Sequence, residues 1–502
     1  MKKFFIIAAI FLFSVILRLW NLDQMGRVWD ESFYVGLGRS FVDLTKKGDF
    51  KNQNWYRGEA SNGPPLALYV YGLASDLDIN HFSPFGKPVF NYNFTYSRLV
   101  SALFFSFTVV LITIFGWNYI SKFAGITAGI ILSMLPFSLG LSQLATLESF
   151  VIFFFTATIF SFINLLIKFS LRKVVLTGVL LGMALMVKYT NFLLIPLTFL
   201  IFIAWVWRDV KRIKMLKKYS LSILGILVIA FLTILVIWPM PWFHLSEVIS
   251  HNLALRNFPH SVPEVFFGRL MLVPEIYYFV YFLITTPMLV LAFFLIGLKT
   301  ASRKKEWIFS SVLVWFVFPF VQSFYNFRQH GVRYIIEIYA PLALISAIGI
   351  EFIISKITKV WLKAIFLTGA IGYSFLILYR ITPYYLDYFN EVVGGAKNVY
   401  ENRLFQLGWW GQGIREAAYY LEKNAKPGSK IGIALSPSHV MPSLRYMKVE
   451  KYNAAEKYNY VVVNFYNVLR EGFDDRQIRK IYKTVYEVNA DGAKLVSVYK
   501  LR

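Results

Sequence analysis

The sequence predicts an α-helical protein that crosses a membrane many times and ends in a small α/β domain. Three observations predict it. Of 502 residues, 57% are hydrophobic and only 16% are charged, whereas soluble domains are about 45–50% apolar and about 25% charged. Apolar runs long enough to cross a hydrocarbon layer about 30 Å thick recur up to residue 380. Beyond that point hydropathy falls, and short strand-like runs alternate with helical ones.

Taken in order, eleven spans are expected near 4–20, 96–119, 123–141, 146–167, 173–188, 190–207, 220–240, 279–298, 307–325, 334–354 and 361–380. The formal charge of +24 first suggests nucleic acid, but its distribution points to topology. With MKK inside, the alternate loops NYISKFAG, KFSLRK, WRDVKRIKMLKKY, LKTASRKKE and SKITKVWLK join it to give 19 Lys/Arg against two acids, Asp209 and Glu306. The 21–95 loop, placed outside, holds seven basic and eight acidic residues. Positive charge stays on the cytoplasmic side because translocating it is unfavourable. An odd number of spans then puts the segment after Arg380 outside.

The first span has the look of a signal peptide, with Lys2, Lys3 and an apolar core, but no small-x-small cleavage site precedes Asn21. An uncleaved signal-anchor is expected. The chain has no cysteine, so disulfides, thiolate metal sites and cysteine nucleophiles are excluded.

Three segments protrude outward. Within 21–95, ESFYVGLGRSFVDLTKKG and PPLALYVYGLASDL carry apolar residues at helical spacing, the second opening on prolines that a first turn tolerates. Helices along the membrane surface would suit both. The second segment is the 242–278 loop. The third, 381–502, is expected to fold with KIGIAL, YNYVVVNFY and KLVSVYK as strands and GIREAAYYLEKNA and DDRQIRKIYK as helices.

Candidate chemistry gathers at the outward ends of the spans. The adjacent acids Asp30 and Glu31 follow the first span and lie among Trp29, Phe33 and Tyr34. Arg98 opens the second span, Glu148 the fourth, Lys188 ends the fifth, and His330 and Arg333 lie between the ninth and tenth. Ionisable groups near the hydrocarbon layer are costly, so several on one side point to a site. The cations suit a phosphate and the carboxylates suit a general base. His244, His251 and His260 share the second outer loop without metal-ligand spacing.

The DE pair, YSRLVSALF, ATLES, LMVKYTNFLLIP, FFGRLMLVPEIYYFVYFLITTP, RQHGVRYIIEIYAP and YFNEVVGG together resemble the bacterial glycosyltransferases related to protein O-mannosyltransferases and aminoarabinose transferases. The resemblance runs in order along nearly the whole chain. It implies the GT-C fold for residues 1–380, an exported α/β domain at 381–502, a polyprenyl-phosphate-linked sugar as donor and an envelope protein, lipid or glycan as acceptor. Asp30 would be the catalytic base in an inverting displacement, and Glu31 would hold the acceptor or the outer helix. Arg98, Lys188, Arg333 and His330 would bind the donor phosphate. Glu148, Trp29, Tyr34 and Asn62 would form the substrate pocket. No cofactor is expected, with a divalent cation left open.

Two departures stand out. Relatives commonly have His-Pro-Pro or Lys-Pro-Pro in the first loop; here the match is Asn62-Gly63-Pro64-Pro65, with Arg57 nearby as a possible substitute. After YFNEVVGG they often place Asp before Trp-Gly, where this chain has Trp409 in GWWGQG. The glycines of that stretch suit a turn before a helix better than a phosphate cradle. The competing class is a transporter or lipid-linked-glycan flippase. Transporters often show paired repeats and midplane charges, and this sequence has no matched halves.

Overall fold

The computed structural model describes residues 2–56, 64–78, 94–207, 210–255, 262–302, 307–324, 328–434, 444, 446–470 and 473–502. The chain opens with α1 (Lys2–Leu19), followed by α2 (Trp29–Lys46) and α3 (Leu66–Ala74) in the first expected outer loop. A bundle follows: α4 (Thr95–Tyr119), α5 (Lys122–Met134), α6 (Pro136–Ser142), α7 (Glu148–Ile167), α8 (Leu171–Leu185), α9 (Leu194–Trp207) and α10 (Leu216–Ile237). The second expected outer loop forms α11 (Met240–Phe243), α12 (Leu245–Leu255) and an antiparallel hairpin, β1 (Pro263–Phe266) and β2 (Arg269–Leu272). The bundle then closes with α13 (Tyr277–Thr285), α14 (Met288–Ser302), α15 (Trp307–Ser323), α16 (Tyr339–Lys356) and α17 (Val360–Ile381).

Among the described residues, six helical segments are long and apolar enough to cross a membrane, and two bent pairs raise the number to eight. All eleven expected spans fall on helices, but three miss that measure: α1 carries three charges, and α8 and α15 have only 15 and 17 residues. The runs expected at 123–141 and 279–298 are not straight. The first bends by 67° between α5 and α6, the second by 112° between α13 and α14. Each break falls just before a proline, at Leu135 and at Thr286, both with extended backbone. Proline disfavours the helical region for the residue before it, and hydropathy alone does not register that.

The C-terminal part holds α18 (Gly395–Glu401), α19 (Ile414–Asn424), β3 (Lys430–Ala434), β4 (Lys448–Lys451), β5 (Tyr460–Asn464), α20 (Phe465–Arg470), α21 (Asp475–Ile481), β6 (Tyr482–Ala490) and β7 (Ala493–Leu501). The sheet order is β4-β3-β5-β7-β6. Strand β3 runs parallel to β4 and β5, while β7 runs antiparallel to β5 and β6. The three expected strands are present, and β4 and β6 are additional. Strand β4 is an edge strand exposed along its length, so it has no alternation to read. The helix expected in DDRQIRKIYK stops at Ile481, where Tyr482 joins the ladder with β7.

The two parts share one core. Met25 and Val28 before α2, Trp410 and Ile414 at α19, and Val488 of β6 lie in the same buried cluster as the bundle. A close approach fixes α2 on α3. A Cβ at Gly38 would meet the Leu68 carbonyl at 2.0 Å, and one at Gly72 would meet the Gly38 carbonyl at 2.2 Å. The backbones touch because neither position has a side chain.

Candidate active site

Helix α2 starts at Trp29 because Glu31 caps it. The Val28 N–H donates to Glu31 Oε2 at 3.1 Å, the backbone half of a capping box. Glu31 is fully buried, and Arg98 grips it through Nε to Oε1 and Nη2 to Oε2, both at 2.7 Å. The Ala145 N–H adds a bond to Oε1 at 3.0 Å. Arg98 also donates to the carbonyls of Leu22, at 2.7 Å, and Gly26. The pair therefore ties the 22–31 segment to the start of α4 and to the turn before α7. Arg98 spends its donors on protein acceptors, and Glu31, enclosed by donors, holds the outer helix α2, one of the two roles expected of it; neither lines the cavity described next.

Successive helical residues point about 100° apart, so Asp30 faces elsewhere. It lines a cavity of about 480 Å³, shared with Trp29, Gln329, His330, Arg333, Tyr334, Trp409, Trp410, Tyr466 and Arg470. Its side chain is 19% exposed, and Arg333 Nη2 donates to its Oδ2 at 2.5 Å. Arg333 opens the 3-10 turn Arg333–Ile338 that leads into α16. Its Nε donates to Glu148 Oε1 at 2.8 Å, and Lys188 Nζ reaches the same oxygen at 3.2 Å. Glu148 is buried in the first turn of α7, where the positive end of the helix dipole favours a carboxylate. Asp30, Arg333, Glu148 and Lys188 thus form a chain of alternating charge.

Aromatic rings frame that chain. The Arg333 guanidinium lies 4.2 Å from the centre of the Trp410 ring, and Lys188 Nζ lies 4.3 Å from that of Tyr334. The Tyr34 hydroxyl accepts from Arg333 Nη2 at 3.5 Å. Burial and the carboxylate of Asp30 push the Tyr34 phenol well above its ordinary range, so it stays protonated.

His330 lines the cavity as a neutral ring. Burial, with Arg333 and Arg470 close by, holds its pKa well below 6.5. It stacks on Trp409, centroids 4.3 Å apart and planes 10° from parallel. Its backbone is left-handed, φ 56°, as is that of Gly331 at 61°. The hairpin supports this strain: the His330 N–H donates to Glu264 Oε1 at 3.0 Å, the Tyr277 hydroxyl donates to Glu264 Oε2 at 2.6 Å, and the Gly331 N–H donates to the Tyr277 oxygen at 3.0 Å. Glu264 is itself buried, and desolvation raises its pKa.

Trp409 and Trp410 reach the cavity from the GWWGQG turn. Gly408, Gly411 and Gly413 all have positive φ there. The turn is pinned by the Gly408 N–H to Asp387 Oδ1 at 2.7 Å and the Trp410 N–H to Gln412 Oε1 at 2.8 Å. The glycines do serve a turn before α19, as the sequence suggests, but its indoles as cavity wall, like Tyr466 and Arg470, were not foreseen. Trp29 lines the cavity, while Asn62 and Arg57 fall outside the described residues. His244 lies apart, with Nε2 3.2 Å from the Phe50 carbonyl and its ring 4.6 Å from that of Tyr56. His260 and the side chain of His251 are outside the described set. Among the described residues no group of three or more His, Asp or Glu side chains could hold a metal ion.

Residues 80–238 match the family model described as dolichyl-phosphate-mannose-protein mannosyltransferase. No curated protein matches the chain by sequence. Among solved structures, ArnT from Cupriavidus metallidurans bound to undecaprenyl phosphate is similar over 98% of this chain and 97% of its own, at 14% identity and a TM-score of 0.53. The archaeal oligosaccharyltransferase AglB from Archaeoglobus fulgidus, in complex with an inhibitory peptide and a dolichol-phosphate, is similar over 100% of this chain and 74% of its own, at 14% identity and a TM-score of 0.51. This chain has the fold of both, the GT-C fold.

Proposed function

We propose that this GT-C membrane protein transfers a sugar from a polyprenyl-phosphate-linked donor to a hydroxyl or similar group of an envelope acceptor. The observation that carries the reading is the Asp30 carboxylate, held by Arg333 on the wall of an aromatic-lined cavity at the ends of the bundle helices. A base for an acceptor hydroxyl needs such a carboxylate, oriented by one oxygen and open to the cavity. Asp30 takes the acceptor proton as its oxygen attacks the anomeric carbon. The bond to the phosphate breaks in the same displacement, so the configuration inverts. Arg333 and Lys188 supply positive charge close to the reacting groups, and fixed charge of this kind is usually among the larger catalytic contributions. Glu31 and Arg98 act from behind by fixing the start of α2, and with it the position of Asp30.

The asymmetry of Lys and Arg among the loops supports a cytoplasmic N-terminus and a C-terminal domain outside the cytoplasmic membrane. A lipid-carried donor fits that side, where sugar nucleotides are absent. Mass spectrometry of lipid-linked sugars and envelope glycans in a deletion strain tests the function. A polyprenyl-phosphate sugar should accumulate while one envelope decoration disappears. Unchanged profiles of both would refute the reading.

A further inference from the structure

The cavity has a second cation that the catalytic reading leaves unused. Arg470 ends α20, which belongs to the C-terminal domain, and it lines the cavity together with Asp30 and Arg333. Its setting differs from that of the other basic residues of the site. Arg333 and Lys188 are matched by Asp30 and Glu148, so those four side chains sum to zero charge. Among the described residues Arg470 has no carboxylate within 4.0 Å. Its hydrogen bond is to a neutral group, the hydroxyl of Tyr466 one turn earlier on α20, which also holds the guanidinium beside the phenol ring. The nearby acid Glu264 takes its hydrogen bonds from the Tyr277 hydroxyl and the His330 N–H, and Arg470 reaches it only through the longer-range field. The field of Arg470 is felt inside the cavity, where it helps keep His330 unprotonated.

The residues that line the cavity include two arginines, Arg333 and Arg470, against one acid, Asp30, and with its indole and phenol walls the cavity should admit an anion. The planar guanidinium has five N–H donors in a fork that fits the oxygens of a phosphoryl group two at a time. The largely buried rings of Trp409, Trp410 and Tyr466 lower the local dielectric and strengthen such a contact. The volume, about 480 Å³, falls in the range of about 300–1,000 Å³ found for small-molecule sites.

We infer that Arg470, oriented by Tyr466, binds a phosphoryl group of the substrate and so makes the C-terminal domain part of the substrate site. The inference deepens the transferase reading and rests on it for the word substrate. Two sources share this chemistry, the headgroup of the donor lipid and a phosphate carried by the acceptor.

Binding to the full-length protein in detergent micelles distinguishes them, read from tryptophan fluorescence because Trp29, Trp409 and Trp410 line the cavity. The probes are undecaprenyl phosphate, its neutral alcohol undecaprenol, and inorganic phosphate. Wild type should prefer undecaprenyl phosphate to undecaprenol. Arg470→Ala should weaken phosphate binding about tenfold, as expected for loss of a charge-assisted contact. Arg470→Lys should keep part of the affinity, and Tyr466→Phe should fall between it and wild type. If Arg470→Ala weakens undecaprenyl phosphate, the group belongs to the donor. If it weakens only inorganic phosphate, and the two probes do not compete, the group belongs to the acceptor. Unchanged affinity for both phosphates in Arg470→Ala and Arg470→Lys, with wild-type elution on size exclusion, overturns the inference. Because no step requires transfer, phosphate binding through Arg470 with unchanged glycan profiles in the deletion strain would separate failure of the transferase reading from failure of this one.

Discussion

Replacing Arg98 by alanine separates two roles that look alike in a sequence. In the structure the guanidinium is enclosed, with two bonds of 2.7 Å to Glu31 and two more to backbone carbonyls. Its removal leaves the Glu31 carboxylate buried, with only the N–H groups of Val28 and Ala145 for company. Stranding one partner of a buried pair costs about 3–5 kcal/mol. For a chain of 502 residues that is a fall on the order of 3–5 °C in Tm, since an unfolding entropy of about 2.1 cal/mol/K per residue makes each kcal/mol worth about 1 °C. The assay is thermal unfolding of purified protein in detergent, followed by tryptophan fluorescence. The double variant E31Q/R98M should recover at least half of the loss. It removes the stranded charge, and glutamine at the third helical position can still cap Val28. A phosphate-binding arginine behaves in the opposite way. If Arg98→Ala keeps its Tm within about 1 °C and loses undecaprenyl phosphate binding about tenfold, on the scale of a charge-assisted contact, the structural assignment is wrong.

Three further outcomes follow from the same geometry. His330 has a folded pKa well below 6.5, so below pH 6.5 the unfolded chain binds a proton that the folded one does not. Wild-type stability should therefore fall as pH drops from 6.5, by at most about 1.4 kcal/mol per unit until the folded pKa is reached. In His330→Gln the Tm difference between pH 7.5 and 5.5 should shrink. Trp410→Ala removes the ring under Arg333 and should lower transfer about five- to thirtyfold, the equivalent of about 1–2 kcal/mol for a desolvated cation–π contact; Trp410→Phe should retain most of the activity. Gly38→Ala forces a methyl against the Leu68 carbonyl. Its overpacking cost of about 1–3 kcal/mol should appear as a lower Tm together with weaker transfer, because α2 carries Asp30.

Much of the fold is legible because hydropathy acts over long windows. A run of apolar residues marks a buried or lipid-facing helix wherever it falls, so each expected span lands on helix. Bends are less visible, since Leu135 and Thr286 are ordinary residues whose backbone is set by the proline that follows. In the C-terminal domain, Val461, Val462 and Val463 announce β5 by composition alone. The KVEK segment of β4 reads as loop because only its pairing with β3 makes it a strand. The site divides along similar lines. Asp30, Glu148, Lys188, His330 and Arg333 could be nominated because charge at span ends is costly, and the fold brings them together. Which acid of the DE pair faces the cavity could not be read from adjacency; the capping bond to Val28 decides it. Arg470 and Tyr466 carry no local signal, because their relevance arises from α20 packing against the mouth of the bundle more than a hundred residues from Arg333 in sequence.

The most direct test of Asp30 as base is Asp30→Asn in purified protein, assayed for transfer from a polyprenyl-phosphate sugar under single-turnover conditions. Asparagine keeps an oxygen for the Arg333 bond, so folding and donor affinity should stay within a few-fold of wild type, as for an interaction left in place. Transfer should drop on the order of 10²–10⁴-fold, the usual contribution of general-base catalysis. A variant that transfers at the wild-type rate would contradict the account.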